Sequence, residues 1–244
     1  RLLAGVLTFV MMLSLLPTSL AAEKNGTDPA PVTSGEVCPG IDWAYDKDSK
    51  TLTVSGSGSI TLEDTSGNTH PWDAFKTEIE HLIIGDGITG TDSIKVFAEL
   101  SALQTIQFPS TLTTLATGTF ATDTALSSVV LPETIESIGD VVFSMCTGLT
   151  SLTIKNRTMT VSAEKHWSSD SRKAPDGLTV YGYKWKSDNK KDDNLTDFYR
   201  YVQWQNDNNG GSIQFVALDD AEDVKGGLIK NAEGSDSQIY WAFN

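Results

Sequence analysis

Residues 126–154, LSSVVLPETIESIGDVVFSMCTGLTSLTI, decide the fold because their apolar positions recur along the chain with a period of 23 residues. One cycle contains Leu103, Ile106, Phe108, Leu112, Leu115 and Phe120. The next contains Leu126, Val129, Leu131, Ile135, Ile138 and Phe143, and another opens with Leu149, Leu152 and Ile154. An earlier cycle, one residue longer, contains Ile79, Leu82, Ile84, Ile88 and Phe97. Because one such unit cannot bury its apolar edge alone, we expect the units to stack into a solenoid.

Each repeat has the pattern of a short strand, a second extended piece and a turn. The strand follows Leu-x-x-Ile-x-Phe and ends at a residue such as Pro132, and the second piece covers, for example, Thr134 to Ile138. A helical or 3-10 turn that carries Phe143 is then expected to reverse the chain. This order predicts a β-rich solenoid of the α/β horseshoe type.

Segments on both sides of the repeats are predicted to cover the apolar ends of the stack. Ile41, Trp43 and Tyr45 alternate with polar or small residues before a turn-rich stretch, so residues 41–62 predict a β-hairpin. We assign residues 36–78 to an N-terminal β cap that contains this hairpin.

The repeats and a C-terminal cap together are assigned to residues 79–218. Four apolar positions from Leu195 to Val202 lie at i, i+3, i+4 and i+7, after the candidate N-caps Asp193 and Asn194. The C-terminal cap is therefore predicted to hold a helix, with strands at residues 178–182 and 213–218.

The N-terminal end of the chain has the pattern of a secretory signal. Arg1 precedes an uncharged, mostly apolar run that ends in small residues, so residues 1–22 predict a signal peptide cut after Ala21 or Ala22. The polar residues 23–35 that follow predict a linker.

The C-terminal end predicts a linker and a further module. Residues 219–236 are acidic and contain glycine, as linkers do. Residues 239–244 then echo residues 41–46 in spacing and chemistry, so residues 237–244 predict the start of a possible second module.

The outward positions of the repeat strands predict a binding surface. Stacked strands would align these positions, which alternate with the core residues, into one ladder across the sheet. We predict that this strand-face ladder binds the ligand, and it consists of His81, Ile83, Thr105, Gln107, Ser128, Val130, Ser151 and Thr153.

The charge of the chain limits its partners. The formal net charge is −14, and it becomes −15 when Arg1 leaves with the signal peptide. Phosphate binding needs clustered Lys and Arg, so we expect neither nucleic acid nor an anionic membrane as a partner, and no membrane insertion after signal cleavage.

No pattern in the chain predicts an enzyme, a metal site or a cofactor. Residues 85–90 match G-x-G-x-x-G, but they lie in phase with the repeats, and no helix pattern follows. The three histidines have no Cys or His neighbour at metal-ligand spacing, and no nucleophile elbow is present. A disulfide between Cys38 and Cys146 is one open possibility.

The six tryptophans leave a carbohydrate-binding module as an alternative, because aromatic faces stack on sugar rings. Trp43, Trp72 and Trp241 have the pattern of core residues. The other three, which could be exposed, are Trp167, Trp185 and Trp204.

The repeat resembles that of BspA-like leucine-rich repeat proteins. The residues that carry the resemblance are Pro132, Ile135, Ile138, Gly139, Phe143, Cys146, Leu149, Leu152 and Ile154, at fixed spacing. The segments around Trp43 and Pro71-Trp72, and the strand Val180–Tyr183, resemble the first and last parts of such proteins. The resemblance covers roughly residues 36–218 and implies a leucine-rich repeat solenoid.

This family is bacterial, secreted or attached to the cell surface, and implicated in adhesion to host proteins and to other cells. The resemblance therefore implies an extracellular adhesion module that binds host or bacterial surface proteins without catalysis. Two alternatives remain, namely a module that binds glycans and a non-catalytic accessory domain of a larger secreted enzyme.

Overall fold

The computed structural model describes residues 32–64, 66–161, 175, 177–187, 191, 194–209 and 213–219. The predicted signal peptide, most of the linker predicted at residues 23–35, and residues 220–244 lie outside this part of the chain. Among the described helices, none is long and apolar enough to cross a lipid bilayer.

Short strands dominate the described residues. In chain order they are β1 (Ser34–Cys38), β2 (Ile41–Asp46), β3 (Thr51–Gly56), β4 (Gly58–Ile60), β5 (His81–Ile84), β6 (Ile88–Thr91), β7 (Thr105–Gln107), β8 (Thr114–Leu115), β9 (Ser128–Leu131), β10 (Ser137–Ile138), β11 (Ser151–Ile154), β12 (Thr160–Val161), β13 (Thr179–Gly182) and β14 (Gln214–Ala217). A 3-10 helix covers Asp73–Phe75, and the α-helix α1 covers Asp197–Asn209.

The hairpin predicted for residues 41–62 is present as β2 and β3. The two strands are antiparallel, with Trp43 opposite Val54, and their alternate apolar side chains are buried. The Asp46 carboxylate shapes the turn by accepting the Asp48 N–H at 2.9 Å. This hydrogen bond, together with those from the side chain and backbone of Ser49, holds the pKa of Asp46 below its usual range.

The sequence did not predict β1, which pairs antiparallel with β2. β1 begins at Ser34, two residues inside the segment assigned to a linker, and Val37 is its one fully buried apolar residue. A strand with a single inward apolar side chain has too little alternation to be recognised from its sequence.

The longer strands of the repeats form two parallel arrays. One sheet has the order β1-β2-β3-β5-β7, in which β3, β5 and β7 are parallel, and the all-parallel second sheet has the order β14-β13-β11-β9. His81 lies opposite Thr105, and Ser128 lies opposite Ser151, so equivalent positions of successive repeats are neighbours. This register confirms the phase of the repeat inferred from the apolar positions.

A third sheet contains the shorter strands in the order β12-β10-β8-β6-β4. All of its pairs are parallel, and Ser137 lies between Thr114 and Thr160 of the neighbouring repeats. The second extended piece expected in each repeat is therefore present, although β10 covers only two residues of Thr134 to Ile138.

The turn that carries the repeat phenylalanine is not helical, which corrects the expectation of a helix or 3-10 turn. Two positions are left-handed in each of three successive described repeats: φ is 56°, 66° and 49° at Lys95, Gly118 and Val141, and 65°, 70° and 58° at Glu99, Thr122 and Met145. Alternating handedness directs N–H and C=O groups toward the neighbouring repeats instead of along a helix. The Phe97 and Phe120 N–H groups thus donate to the carbonyls of Thr119 and Val142, both at 2.9 Å.

A phenylalanine stack runs through the core. The rings of Phe97 and Phe120 are 5.8 Å apart at 13°, and those of Phe120 and Phe143 are 5.8 Å apart at 8°. Trp72 extends the stack, with its ring 5.5 Å from Phe97. The predicted repeat core is buried except for two half-buried residues, Ile106 in β7 and Phe108 directly after it.

The last unit consists of β13, α1 and β14, and its two strands are parallel. α1 lies beside β12, the end strand of the third sheet. The helix begins later than predicted, because the Thr196 hydroxyl caps it by accepting the Tyr199 N–H at 3.2 Å. Asp193 lies outside the described residues, and Leu195 precedes the helix in an isolated bridge with Trp185.

Asp219, the first residue of the predicted acidic linker, is buried in this last unit. Its carboxylate accepts the backbone N–H groups of Lys184 at 2.9 Å and Trp185 at 2.8 Å. The Arg157 guanidinium lies 3.6 Å from the same carboxylate. Asp219 therefore ties β14 to the end of β13 and is not part of a solvated linker.

Candidate interaction surface

The eight ladder residues lie on one side of the parallel arrays, at outward positions of β5, β7, β9 and β11. They alternate with buried residues such as Leu82, Val129 and Leu152. Register joins them in pairs, with Ile83 opposite Gln107 and Val130 opposite Thr153.

The exposure of the ladder residues is uneven. Val130 is 53% exposed, and Thr105, Gln107 and Ser128 are exposed as expected. Thr153 is only 8% exposed, which corrects its assignment as a freely accessible contact. It lies in register between the larger side chains of Val130 and Tyr181, which shield it.

The same surface extends over three strands that the ladder did not include. Outward residues of β3, β13 and β14 continue the register on both sides, because Thr53 pairs with Ile83 and Tyr181 with Val216. We call the whole set the strand face: Thr51, Thr53, His81, Ile83, Thr105, Gln107, Ser128, Val130, Ser151, Thr153, Thr179, Tyr181, Gln214 and Val216. Alternation within residues 178–182 was the signal that could have placed β13 in it.

The strand face carries no Asp, Glu, Lys or Arg, although charged residues make up 20% of the chain and the net charge is −14. His81 carries its one imidazole, and the His81 Nδ1 lies 2.8 Å from the Thr105 hydroxyl. Acidic side chains appear beyond β3, at the exposed Asp42 and Asp46 of β2 and the exposed Glu36 of β1.

A seam divides the strand face between β7 and β9. Elsewhere, a carbonyl just before each strand accepts from the next repeat: Glu80 accepts the Thr105 N–H at 3.3 Å, and Ser127 accepts the Ser151 N–H at 3.2 Å. All residues from Gln104 to Ser128 are described, and no such bond joins the Gln104 carbonyl to Ser128. β7 and β9 lie close together but end separate sheets.

The glycine-rich residues 85–90 serve repeat packing. They lead from β5 into β6 and not into a helix. A Cβ atom at Gly87 would lie 2.4 Å from the Gly56 carbonyl oxygen, and one at Gly90 would lie 2.1 Å from the Thr114 hydroxyl. Close contact between repeats thus explains the glycines, and the geometry of a dinucleotide-binding turn is absent from this described stretch.

The buried His70 has structural partners on both ring nitrogens. The buried His70 ring lies 3.1 Å from Asp73 through Nδ1 and 2.8 Å from the Lys95 carbonyl through Nε2. In the part of the chain that the structure describes, no three His, Cys, Asp or Glu side chains are grouped for a metal ion.

Asp123 and Cys146 occupy the same buried position in successive repeats. The Asp123 Oδ1 accepts the Leu100 N–H at 2.9 Å, whereas its Oδ2 has no hydrogen-bond partner. Burial raises the pKa of Asp123 well above its usual range, and the charge of Glu99 adds to this. Burial likewise raises the pKa of the Cys146 thiol, which donates to the Phe120 carbonyl at 3.0 Å. Cys146 is therefore a packed residue, and Cys38 and Cys146 are both free thiols.

The described tryptophans divide into core and surface. Trp43 and Trp72 are buried, as their pattern predicted, and Trp185 is also buried, with 8% exposure. Trp204 on α1 is 42% exposed. Trp167 and Trp241 lie outside the described residues. A stacking role for Trp185 is thus not compatible with its burial.

A shallow polar groove of about 640 Å³ lies along the third sheet. Most of its hydroxyl and amide donors bind carbonyls of the preceding repeat, such as Thr134 to Leu112 at 2.7 Å and Asn156 to Ile135 at 2.8 Å. These bonds hold the repeats together. One of them uses the side-chain amide of Asn156, which is the acceptor residue of a formal N-glycosylation sequon, Asn156-Arg157-Thr158.

Parallel strands in repeat register, with leucine and phenylalanine at fixed positions, define a leucine-rich repeat fold. The family model for the BspA type leucine rich repeat region matches residues 73–172 in six copies. Residues 73–172 are therefore similar to the BspA-like leucine-rich repeat family.

Solved structures of leucine-rich repeat proteins resemble the chain at low identity. A protein from Eubacterium ventriosum is 18% identical with a TM-score of 0.47, and the match covers 65% of this chain and 45% of that one. The pneumococcal vaccine antigen PcpA is 14% identical with a TM-score of 0.42, over 71% and 42% of the two chains. The chain thus spans less than half the length of either. No curated protein sequence matches it significantly.

Proposed function

We propose that this chain is an extracellular protein-interaction module, secreted or attached to the cell surface, that adheres to proteins of host or neighbouring cells without catalysis. The observation that carries the proposal is the strand face, in which outward side chains of successive repeats lie in register. Leucine-rich repeat regions present such surfaces for binding and are generally non-catalytic.

The wider architecture belongs to the same proposal. The repeats form a solenoid, β1 to β3 cap its N-terminal end, and α1 with β14 caps the other end. This arrangement is supported by the position of α1 beside β12, where the helix covers strand edges that would otherwise be open. Residues 1–22 direct secretion, and residues 237–244 begin a further module.

Rigidity supports a binding role. The stacked rings of Phe97, Phe120 and Phe143 and the hydrogen bonds between repeats hold the strand face in one geometry. A pre-organised surface loses little conformational entropy on binding, so its contacts contribute more fully to affinity. Tandem modules would add avidity without strengthening any single contact.

Binding of residues 23–244 to immobilised matrix proteins and polysaccharides, read by biolayer interferometry, tests the proposal. The double variant Gln107→Glu/Val130→Glu places two charges on the strand face. We expect it to weaken binding to a protein by at least about tenfold, or ~1.4 kcal/mol. The control Ser101→Glu/Ser110→Glu adds the same charge at exposed positions outside the face and should bind like the parent. Equal binding by both variants would exclude the strand face.

A glycan-binding module is the second candidate, and the exposed Trp204 is the observation that favours it. If it is correct, Trp204→Ala abolishes binding to a polysaccharide of the panel, whereas Gln107→Glu/Val130→Glu has no effect. The accessory-domain alternative is tested by the activity of the full-length protein with and without this region.

A further inference from the structure

The strand face is electrically unlike the rest of the molecule. A chain with 32 acidic and 18 basic residues would attract basic partners to most of its surface. The strand face instead offers only hydroxyl, amide, imidazole, phenol and aliphatic groups. A partner that binds there gains nothing from its own positive charge, and burying an unpaired charge against the face would be unfavourable.

The side chains beyond the seam are sorted into two rows. Register aligns Val130, Thr153, Tyr181 and Val216 across β9, β11, β13 and β14, and we call these four the apolar row. Val130 and Val216 are 53% and 43% exposed. Val216 lies beside the half-buried Tyr181, and Thr153 lies between Tyr181 and Val130. The parallel polar row consists of Ser128, Ser151, Thr179 and Gln214.

Chain geometry limits what the two rows can hold. Four neighbouring strands span about 14 Å across the sheet, and the rows lie about 7 Å apart along the strands. That patch is far smaller than the roughly 800 Å² that each partner contributes to a standard protein interface. An extended peptide that crosses the strands along the apolar row covers the distance with roughly four or five residues.

We infer that the apolar row binds a short, uncharged, extended segment of a partner protein that carries two or three aliphatic or aromatic side chains. These side chains pack on Val130, Tyr181 and Val216, and the polar row supplies hydrogen bonds to the backbone of the segment. Because buried apolar area provides the contact, affinity depends weakly on salt. This inference rests on the proposed function and specifies its partner.

Selection from a random peptide library displayed on phage tests the inference with a defined probe. The target is residues 23–244 at about physiological ionic strength, ~0.15 M. Two variants serve as further targets in parallel selections. Val130→Glu/Val216→Glu charges the apolar row, and Ser101→Glu/Ser110→Glu adds the same charge elsewhere. Both valines are exposed, so folding should survive, and thermal melting of each variant verifies this.

The expected result is enrichment of uncharged peptides with clustered aliphatic or aromatic residues. Their affinity should fall at least about tenfold in Val130→Glu/Val216→Glu and remain unchanged in the control. Raising salt about tenfold should alter their Kd by less than about twofold, since no ion pair is screened.

Three outcomes would overturn the inference: peptides dominated by Lys and Arg, peptides that bind the charged-row variant equally well, or no enrichment at all. The matrix-protein experiment separates these from failure of the proposed function. If Gln107→Glu/Val130→Glu abolishes binding to a matrix protein while the selected peptides are basic, the adhesion function stands and the inferred partner chemistry is wrong.

Discussion

Replacing Asp123 by cysteine should remove a pH dependence from the stability of the protein. Asp123 is fully buried, accepts one hydrogen bond from the Leu100 N–H, and leaves its second carboxylate oxygen without a partner. The equivalent residue of the next repeat is Cys146, where a neutral thiol fills the same position. Asp123→Cys therefore installs a side chain that this fold already accommodates.

The sign of the effect follows from the raised pKa of Asp123. Because the folded-state pKa lies above the unfolded value near 3.8, folding binds a proton between the two values. The stability associated with this group is present below the unfolded pKa and is lost as pH rises toward the folded pKa. The Asp123 Oδ2 is also buried without a hydrogen-bond partner, which costs roughly 1–3 kcal/mol, so Asp123→Cys should be more stable than the parent by about that amount at neutral pH.

Urea denaturation at a series of pH values from acidic to neutral measures the difference. A reducing agent prevents a disulfide between the new thiol and Cys146. Asp86→Asn removes an exposed carboxylate and is the control for the change in net charge. We expect the stability advantage of Asp123→Cys to grow as pH rises. A constant difference between variant and parent over the whole range would show that the Asp123 carboxyl does not bind a proton on folding.

Three further predictions concern the packing of the repeats. Phe120→Leu loses ring contacts with Phe97, Phe108 and Phe143, so the free energy of unfolding should fall by roughly 2–4 kcal/mol. Urea denaturation measures this, and a loss below ~0.5 kcal/mol would show that the stacked rings do not stabilise the fold. Asp219→Ala leaves two backbone N–H groups without their acceptor, so we expect a loss of roughly 2–4 kcal/mol in the same assay, with exposed Asp86→Ala as the neutral control. At the seam, the Ser128 amide should exchange with deuterium faster than the bonded Ser151 amide, and equal protection would show that β7 and β9 are joined in solution.

Periodicity made most of the core predictable. Leucine, isoleucine and phenylalanine recur at the same phase, and a residue that repeats at constant spacing must occupy the same environment in each unit. Leu112, Ile135 and Phe143 are buried for this reason. Strand pairing followed too, since the register is set by which side chains face the core.

The turn could not be predicted, because its geometry comes from contacts between repeats. Left-handed backbone usually favours glycine, yet only Gly118 among the six left-handed repeat positions is a glycine. Val141 and Met145 adopt this conformation because the hydrogen bonds to the neighbouring repeats require it. A sequence with valine at such a position gives no local signal of positive φ.

The composition of the strand face was only partly predictable. The exposure of Val130 followed from alternation, but the shielding of Thr153 depends on Tyr181, which lies beyond the irregular stretch after Ile154. The burial of Asp219 was not predictable for a related reason, because an acidic residue at the edge of an acidic segment has the pattern of a solvated residue. Its role requires two backbone donors that only the folded last unit brings together.

The distribution of charge gives the strand face a basis for specificity. Acidic side chains on the remaining surface repel other acidic proteins and copies of this chain, whereas the uncharged face offers apolar contact without that repulsion at short range. Basic partners are drawn toward the acidic surface and find no carboxylate on the strand face. Discrimination between partners then combines apolar attraction at the strand face with charge repulsion on the remaining surface. Selective binders reject competitors of similar shape in this way. A partner with a neutral apolar segment satisfies both conditions, and salt should strengthen its binding slightly when that partner is itself acidic.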